Sequence, residues 1–227
     1  TYGLACFAEI RNKKTLKIMS VGCGPCTELA AVDYLKEKGV LNYEKLQYRG
    51  IDPLGNVWRR IWSDIKEYFG NGINFYQKDI LELVDIITRH SWVPDVLIFQ
   101  YVFSDMYKNS STIEINQFID KLATFLNACG EKPIYILCND INLSKAYNGG
   151  REFFDALESK ISNPKIVRRM HFNNNNKDRH FEYGDEYKRN CLIFDEIPDE
   201  IRKAYNPFDS CASAQILIKK EQKEVIR

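Results

Sequence analysis

The residues with the clearest chemical potential in this chain are two glycines near its amino end, in the segment Val21-Gly22-Cys23-Gly24-Pro25. They follow an apolar stretch and come just before Thr27, where a helical pattern begins. Glycines at such a turn adopt backbone angles that other residues resist, and they let a ligand approach the main chain closely. The exposed amides at the start of the following helix then face the bound group. This arrangement predicts a site for a nucleotide-like cofactor.

Acidic and amide side chains stand at the ends of the next apolar stretches. Asp52, Asp79 and Gln100 each end or directly follow a predicted strand. In open α/β sheets, ligands bind beyond the carboxyl ends of the strands, at the point where the strand order reverses. We therefore expect these three side chains to converge with Gly22 on one edge of a sheet.

Three further residues are candidates for chemistry at that edge. Tyr101 and Asp105 follow the fourth predicted strand and could orient or deprotonate a substrate. Asp140 belongs to the pair Asn139-Asp140, which follows the fifth strand. Each has a structural alternative, because Tyr101 could form a pocket wall and the two acids could serve local backbone hydrogen bonds.

Cys23 and Cys26 have the C-x-x-C spacing of a metal or redox pair. No second C-x-x-C pair and no paired histidine follows in the sequence, so a closed zinc site lacks ligands. A thioredoxin-like redox pair is the alternative. We interpret both cysteines as residues of the turn, and we expect no metal site.

Apolar strands and amphipathic helices alternate along the chain. Seven strands are predicted, at residues 17–21, 46–51, 73–77, 95–100, 133–138, 165–172 and 214–219. Helices are predicted at 27–38, 56–69 and 81–88, after the Ser111–Glu114 capping box, and after Gly150. This alternation predicts an α/β fold with a mostly parallel, doubly wound sheet that is covered on both faces.

The length of 227 residues suits a single domain spanning residues 1–227. Within it we expect a helical lead-in at 1–15, continuing from a longer natural chain, and an insertion at 173–210 between the last two strands. The insertion is basic and aromatic, although acidic residues offset its charge, and long loops of this kind tend to be functional. It is our candidate for substrate recognition, with His171 and His180 as candidate bases. The alternative is a solvated surface flap.

Composition narrows the class of protein. The formal net charge of +1 provides no global field that would attract nucleic acid or an anionic membrane, although it does not exclude nucleic acid. No apolar run approaches the roughly 20 residues needed to span a bilayer. Seven cysteines, an odd number in apolar segments, favour reduced thiols and a cytoplasmic location.

With these motifs the chain resembles the class I, Rossmann-like S-adenosylmethionine-dependent methyltransferases, from about residue 17 to residue 219. In that family the first glycine turn passes beneath the methionine part of the cofactor. The matching residues here are Gly22, Cys23, Gly24 and Pro25. An acidic residue after the second strand binds the ribose hydroxyls, which matches Asp52, and the adenine packs on the residues that follow, here Pro53 or Leu54.

The resemblance extends to the third and fourth strands. An acidic residue after the third strand contacts the adenine amine, which matches Asp79, with Ile80 beside it. The stretch after the fourth strand, with Gln100 and Tyr101, borders the transferred methyl group. The resemblance therefore implies S-adenosyl-L-methionine as the cofactor, and a seven-stranded sheet whose last strand is antiparallel.

The chain departs from the family pattern at two positions. Ser20 stands where the family usually has an acidic residue, and Cys26 stands where it often has a third glycine. A nicotinamide-dependent oxidoreductase shares the glycine turn, but its fingerprint places a third glycine where Thr27 stands. A catalytically inactive module that binds S-adenosylmethionine and serves regulation or assembly is a further alternative. The methyl acceptor stays open between a small molecule, a protein and RNA.

Overall fold

An eight-stranded sheet runs through the part of the chain that the structure, a computed structural model, describes: residues 2–82, 84–85, 92–129, 132–143, 149–172, 182–186 and 213–222. Its strands are β1 (Thr15–Val21), β2 (Lys45–Ile51), β3 (Ile73–Tyr76), β4 (Val96–Gln100), β5 (Ile134–Ile141), β6 (Pro164–Phe172), β7 (Asp185–Glu186) and β8 (Ser213–Lys220). Their order across the sheet is β3-β2-β1-β4-β5-β8-β6-β7.

The strand directions confirm the predicted fold class. Strands β1 to β5 pair in parallel, whereas β8 lies between β5 and β6 and is antiparallel to both. The sheet has one strand more than the seven predicted, because the two-residue β7 pairs in parallel with β6 at Met170 and His171. Such a short pairing leaves no periodic pattern in the sequence.

Helices cover the two faces of the sheet. They are α1 (Tyr2–Cys6), α2 (Thr27–Glu37), α3 (Gly55–Phe69), α4 (Val102–Asn109), α5 (Thr112–Ala128) and α6 (Glu152–Lys160), with 3-10 turns at Ala8–Ile10 and Ile80–Glu82. The predicted helix at 81–88 lies partly outside the described residues, and its start is the second of these turns. Helix α4 was not predicted. The capping box of α5 is present, since the Ser111 hydroxyl accepts a hydrogen bond from the Glu114 amide at 3.2 Å.

Each face of the sheet has its own apolar core. Met19 and Val21 of β1 pack with α4, α5 and α6, whereas Leu16 and Ile18 pack with α1 and α2 on the other face. Alternate residues of a strand point to opposite faces, so a strand buried on both sides is apolar along its length. This is why the strands were predictable from short apolar runs.

Most of the predicted insertion at 173–210 lies outside the described residues, including His180. Of that range only residues 182–186 are described, and they contain β7. The division of the chain into one domain with this insertion stays a prediction. No helix among the described residues combines the length and the apolar character needed to cross a bilayer.

A buried carboxylate joins several elements at the amino edge of the sheet. Asp95, just before β4, is 3% exposed. Its Oδ2 accepts a hydrogen bond from the backbone amide of Lys17 at 2.9 Å. Its Oδ1 accepts hydrogen bonds from the ammonium groups of Lys13 at 3.1 Å and Lys132 at 2.8 Å. One side chain thus connects β1, the segment that leads into it, β4 and the segment that leads into β5.

This cluster predicts a pH-dependent loss of stability. Burial by itself would raise the pKa of Asp95, but the hydrogen bonds from Lys132, Lys17 and Lys13 outweigh it and hold the pKa below its usual value. A carboxyl of this kind stabilises the fold above its unfolded pKa of about 4 and loses that contribution as the pH falls through the folded pKa. We expect Asp95→Asn to lower the free energy of unfolding by about 1–3 kcal/mol at pH 7.

The measurement is urea unfolding of both proteins at pH 7 and pH 3. The difference between wild type and variant should shrink at the lower pH. An equal difference at the two pH values would contradict the assignment.

Candidate functional site

The glycine turn after β1 has the backbone conformation that the sequence predicts. Gly22 and Gly24 have φ of +64° and +47°, in the left-handed region that favours glycine. A Cβ added at Gly22 would lie 2.9 Å from the Cγ2 of Val102, at the start of α4. Any side chain at position 22 would therefore strain the turn and push against α4.

Asp52 follows β2 and binds the backbone of two different segments. Asp52 is buried, with 7% of the residue exposed. One carboxylate oxygen accepts a hydrogen bond from the backbone amide of Gly24 at 2.9 Å. The other accepts a hydrogen bond from the backbone amide of Leu54 at 2.8 Å. Asp52 therefore fixes the glycine turn relative to the start of α3.

A cavity of about 390 Å³ opens at the carboxyl edge of the sheet, where the strand order reverses between β1 and β4. This is where ligands bind in open α/β sheets, and its volume is in the range of about 300–1,000 Å³ that is usual for ligand sites. Eight of the eleven predicted cofactor residues line it: Gly22, Asp52, Pro53, Leu54, Asp79, Ile80, Gln100 and Tyr101.

The other three predicted cofactor residues, Cys23, Gly24 and Pro25, are not among the described lining residues. Cys23 is buried beneath the turn, and the carbonyl oxygen of Gly24 accepts the indole N–H of Trp62 at 2.9 Å. Of residues 22–25, Gly22 lines the cavity, and a cofactor contact by the other three stays a prediction.

The two cysteines of the turn have the environment of structural residues. Both are buried and are free thiols. A hydrogen bond with Cys26, together with burial, raises the pKa of the Cys23 thiol well above its usual value. Reactive and metal-binding cysteines need the opposite shift, because the thiolate is the active form. Among the described residues, no group of three or more His, Cys, Asp or Glu side chains is placed to hold a metal ion.

Helix α4 supplies cavity residues that the sequence analysis missed. Leu81 joins them from the turn after β3, and the residues from α4 and its end are Val102, Met106, Asn109 and Ser110. The spacing of Val102 and Met106, four residues apart after a strand, was an available helical signal. It is short, and no Gly, Pro or capping side chain marks where the helix begins.

Two of the three predicted catalytic residues reach this cavity. Tyr101 precedes α4 in the left-handed conformation, with φ of 57°, and lines the wall. Asp105, in the first turn of α4, also lines the wall and pairs with Lys108 at 3.4 Å. The structure therefore brings a phenol and a carboxylate together on the wall that the start of α4 forms.

Asp140 has a different environment from the other two candidates. It is 0% exposed and is not among the described residues of the cavity wall. Its Oδ2 accepts the backbone amide of Ser104 at 3.1 Å, and its Oδ1 accepts that of Ile141 at 2.7 Å. Burial raises the pKa of Asp140, although these hydrogen bonds act against the shift. The hydrogen bonds from Ser104 and Ile141 at these distances come from the main chain.

Of the two candidate histidines, His171 lies among the described residues. His171 is buried in β6, and its Nδ1 accepts the amide of Tyr183 at 3.2 Å, which ties residues 182–186 to the sheet. His180 lies outside the described residues.

Comparison with known proteins supports the fold. No protein-family model and no curated protein sequence matches the chain. Among solved structures, a protein of Listeria monocytogenes assigned to the class I S-adenosylmethionine-dependent methyltransferases superposes with a TM-score of 0.51 at 13% identity. The match covers 100% of this chain and 59% of that one. A possible exported protein from Bordetella parapertussis superposes with a TM-score of 0.52 at 10% identity, covering 97% of this chain and 67% of that one.

The fold is that of the class I methyltransferases. At this level of identity the similarity concerns the fold alone. Within the methyltransferase fold, the antiparallel β8 between β5 and β6 is the feature that the parallel dinucleotide-binding sheets lack.

Ser20 stands where the family usually has an acidic residue, but a buried carboxyl group is present nearby in the sequence, at Glu28. Ser20 is buried, and Glu28 is buried in the first turn of α2. The Tyr48 hydroxyl donates a hydrogen bond to Glu28 at 2.5 Å. Burial raises the pKa of Glu28 above its usual value, and the hydrogen bond from Tyr48 opposes the shift without cancelling it.

The environment of Glu28 predicts how the difference in stability between the wild type and a neutral variant changes with pH. Between the unfolded and the folded pKa of Glu28, the native state binds a proton that the unfolded state has lost. The stability of the wild type therefore falls with rising pH by at most about 1.4 kcal/mol per unit. Glu28→Gln keeps an oxygen for the Tyr48 hydroxyl and has no such titration.

We expect the stability of Glu28→Gln relative to wild type to rise as the pH increases from about 4. Urea unfolding of the two proteins from pH 4 to pH 8 measures this difference. A constant difference over the range would show that Glu28 is charged in the native state.

Proposed function

We propose that this protein is an S-adenosylmethionine-dependent methyltransferase that acts on an unidentified acceptor. The observation that carries the proposal is the convergence of eight predicted cofactor residues, from four successive strand ends, on one cavity of a methyltransferase fold. The proposal includes a cytoplasmic location, and the free thiols among the described cysteines are consistent with it.

The residues of the cavity suit the parts of this cofactor. Each carboxylate oxygen of Asp52 accepts one backbone amide, and because a carboxylate has about four acceptor sites in all, it can also accept ribose hydroxyls. Leu54, 56% exposed at the cavity, offers an apolar surface for the adenine ring. Asp79 lines the cavity beside Ile80 and would accept a hydrogen bond from the adenine amine.

The charge of the wall favours a sulfonium cofactor over a dinucleotide. Asp52, Asp79 and Asp105 line the cavity, and no Lys, Arg or His is among its described lining residues. Such a wall attracts the positive charges of S-adenosylmethionine and repels the pyrophosphate of a nicotinamide dinucleotide.

The bound cofactor supplies an electrophilic methyl group, and the chain must hold an acceptor in line with it. Tyr101 and Asp105 are the polar groups of the α4 wall that would orient an acceptor. Asp105, as an exposed carboxylate, could also take its proton. The acceptor class stays open between a small molecule, a protein and RNA. The alternative function is a module that binds the cofactor without catalysis, and the absence of the usual acid at Ser20 favours it.

Calorimetric titration tests the cofactor assignment. We expect S-adenosylmethionine and its demethylated product to bind with a dissociation constant of about micromolar order, and NAD to bind much more weakly. Binding of NAD without binding of either sulfur compound would overturn the proposal.

A substitution at Asp52 tests the site itself. Asp52→Ala removes the predicted ribose contact and the anchor of the glycine turn, so we expect at least about a tenfold loss of affinity for S-adenosylmethionine. Asp64→Ala is the matched control, because Asp64 is an exposed acid of the neighbouring helix α3 and does not line the cavity. Equal affinity of the two variants would show that the ribose is held elsewhere.

Turnover distinguishes an enzyme from a binding module. Incubation with fractionated cell extract and methyl-labelled cofactor should transfer label to an acceptor with the wild type, and much less with Asp52→Ala. A protein that binds the cofactor but transfers no label in any fraction would support the binding module.

A further inference from the structure

The end of β5 accepts two hydrogen bonds from the segment that joins β4 to α4. The amide of Tyr101 donates to the carbonyl oxygen of Asn139 at 2.7 Å. Three residues further on, the amide of Ser104 donates to the carboxylate of Asp140 at 3.1 Å. Two consecutive residues of one strand therefore fix both sides of the turn that leads into α4.

Asp140 performs for α4 the role that an N-cap side chain usually performs. The first amides of a helix have no partner within the helix, and a capping side chain normally accepts one of them. The N-cap residue of α4, Tyr101, makes no such side-chain bond. Asp140 supplies the acceptor from another strand, and a negative charge at this end of a helix is favourable.

The space around this hydrogen bond is closed on its other side by Gly150. A Cβ at Gly150 would lie 2.4 Å from the Oδ2 of Asp140 and 2.6 Å from the amide nitrogen of Ser104. Gly150 is not in the left-handed region, so close approach is what requires glycine here. The chain after β5 thus packs directly on the hydrogen bond between Asp140 and Ser104.

The start of α4 in turn shapes the cavity. Val102 lies against Gly22, and Val102, Asp105 and Met106 line the cavity wall. Asp140 is fully buried behind this wall. A shift of the first turn of α4 would therefore move the wall and the residue that packs on the glycine turn, without any direct contact between Asp140 and a ligand.

We propose that Asp140 is a positioning residue, whose buried carboxylate holds the first turn of α4 against the glycine turn in the arrangement that binds cofactor. This inference rests on the proposed function for its ligand. It assigns Asp140, a candidate for direct chemistry on sequence grounds, an indirect role through Ser104 and Val102.

The test compares Asp140→Asn with Asp95→Asn. Asparagine has one acceptor oxygen where aspartate has two, so either Ser104 or Ile141 would face an amide NH₂ group instead of an oxygen. Asp95→Asn is the matched control because Asp95 is also a buried carboxylate that accepts a backbone amide, but it lies at the opposite edge of the sheet. The readouts are the affinity for S-adenosylmethionine and, in the protein without ligand, hydrogen exchange of the α4 amides.

We expect Asp140→Asn to weaken cofactor binding by at least about tenfold, and Asp95→Asn to change it by less than about twofold. We also expect faster exchange at residues 103–106 in Asp140→Asn alone. If Asp140→Asn is folded and matches wild type in affinity and exchange, the inference is overturned while the proposed function stands.

Hydrogen exchange separates failure of this inference from failure of the proposed function. If the wild type does not bind S-adenosylmethionine, the proposed function fails, and exchange of the α4 amides still decides whether Asp140 positions that helix. If Asp140→Asn does not fold, Gly150→Ala replaces it, since an added Cβ would push against the same hydrogen bond while residue 140 stays an aspartate. We expect Gly150→Ala to show the same weakened binding and faster exchange, and unchanged values would overturn the inference.

Discussion

The carboxyl edge of this sheet depends on one interaction, the hydrogen bonding of a single buried carboxylate to backbone amides of two segments. Asp52 accepts a hydrogen bond from the amide of Gly24 through one oxygen and from the amide of Leu54 through the other. Because β1 and β2 are parallel neighbours, their carboxyl ends lie side by side, and a short side chain after β2 can reach the turn after β1. The glycines make the turn compact enough for this contact, and the contact keeps the turn at the cavity.

Two other buried carboxylates show that the two edges of the sheet are stabilised differently. Asp95, at the amino edge, accepts two lysine ammonium groups and one amide, and its pKa is lowered. Asp140, at the carboxyl edge, accepts hydrogen bonds from the backbone amides of Ser104 and Ile141, and burial raises its pKa. The cations at the amino edge pair with Asp95 and do not line the cavity. The donors to Asp140 are uncharged backbone amides, so this contact holds the first turn of α4 without a cation beside Asp140.

The sequence determines the strands and the cavity acids well because each depends on local information. An apolar run buried on both faces of a sheet is recognisable by itself, and the residue at its carboxyl end is then placed by topology. This was enough for Asp52, Asp79 and Gln100 to be identified as cavity residues. The role of Asp52 in holding Gly24 and Leu54 was not predicted, because it depends on which backbone amides the tertiary fold brings to the carboxylate.

Helix α4 was missed for a related reason. Its start is stabilised by Asp140, which is 36 residues away from Ser104 in sequence, and no capping residue marks its beginning locally. The same distance explains why Asp140 was interpreted as a candidate for chemistry, since its position at a strand end matches that of a cavity residue. Only the direction of its carboxylate, towards Ser104 and Ile141, separates the two roles. The two-residue β7 was not predictable, because two residues cannot show an alternating pattern.

The distribution of charge around the glycine turn connects these observations to the nature of the ligand. In the family pattern an acid stands at the position of Ser20, whereas here the buried acid beneath the turn is Glu28, whose raised pKa favours the neutral form. The negative charge on the described wall therefore comes from the aspartates of the cavity. A cationic ligand gains from these aspartates without requiring a charged group beneath the turn. An anionic ligand would have only backbone amides to offset its repulsion by these aspartates. The amide of Gly24 already donates its hydrogen bond to Asp52. The electrostatics of the wall and the geometry of the turn therefore both support the proposed cofactor.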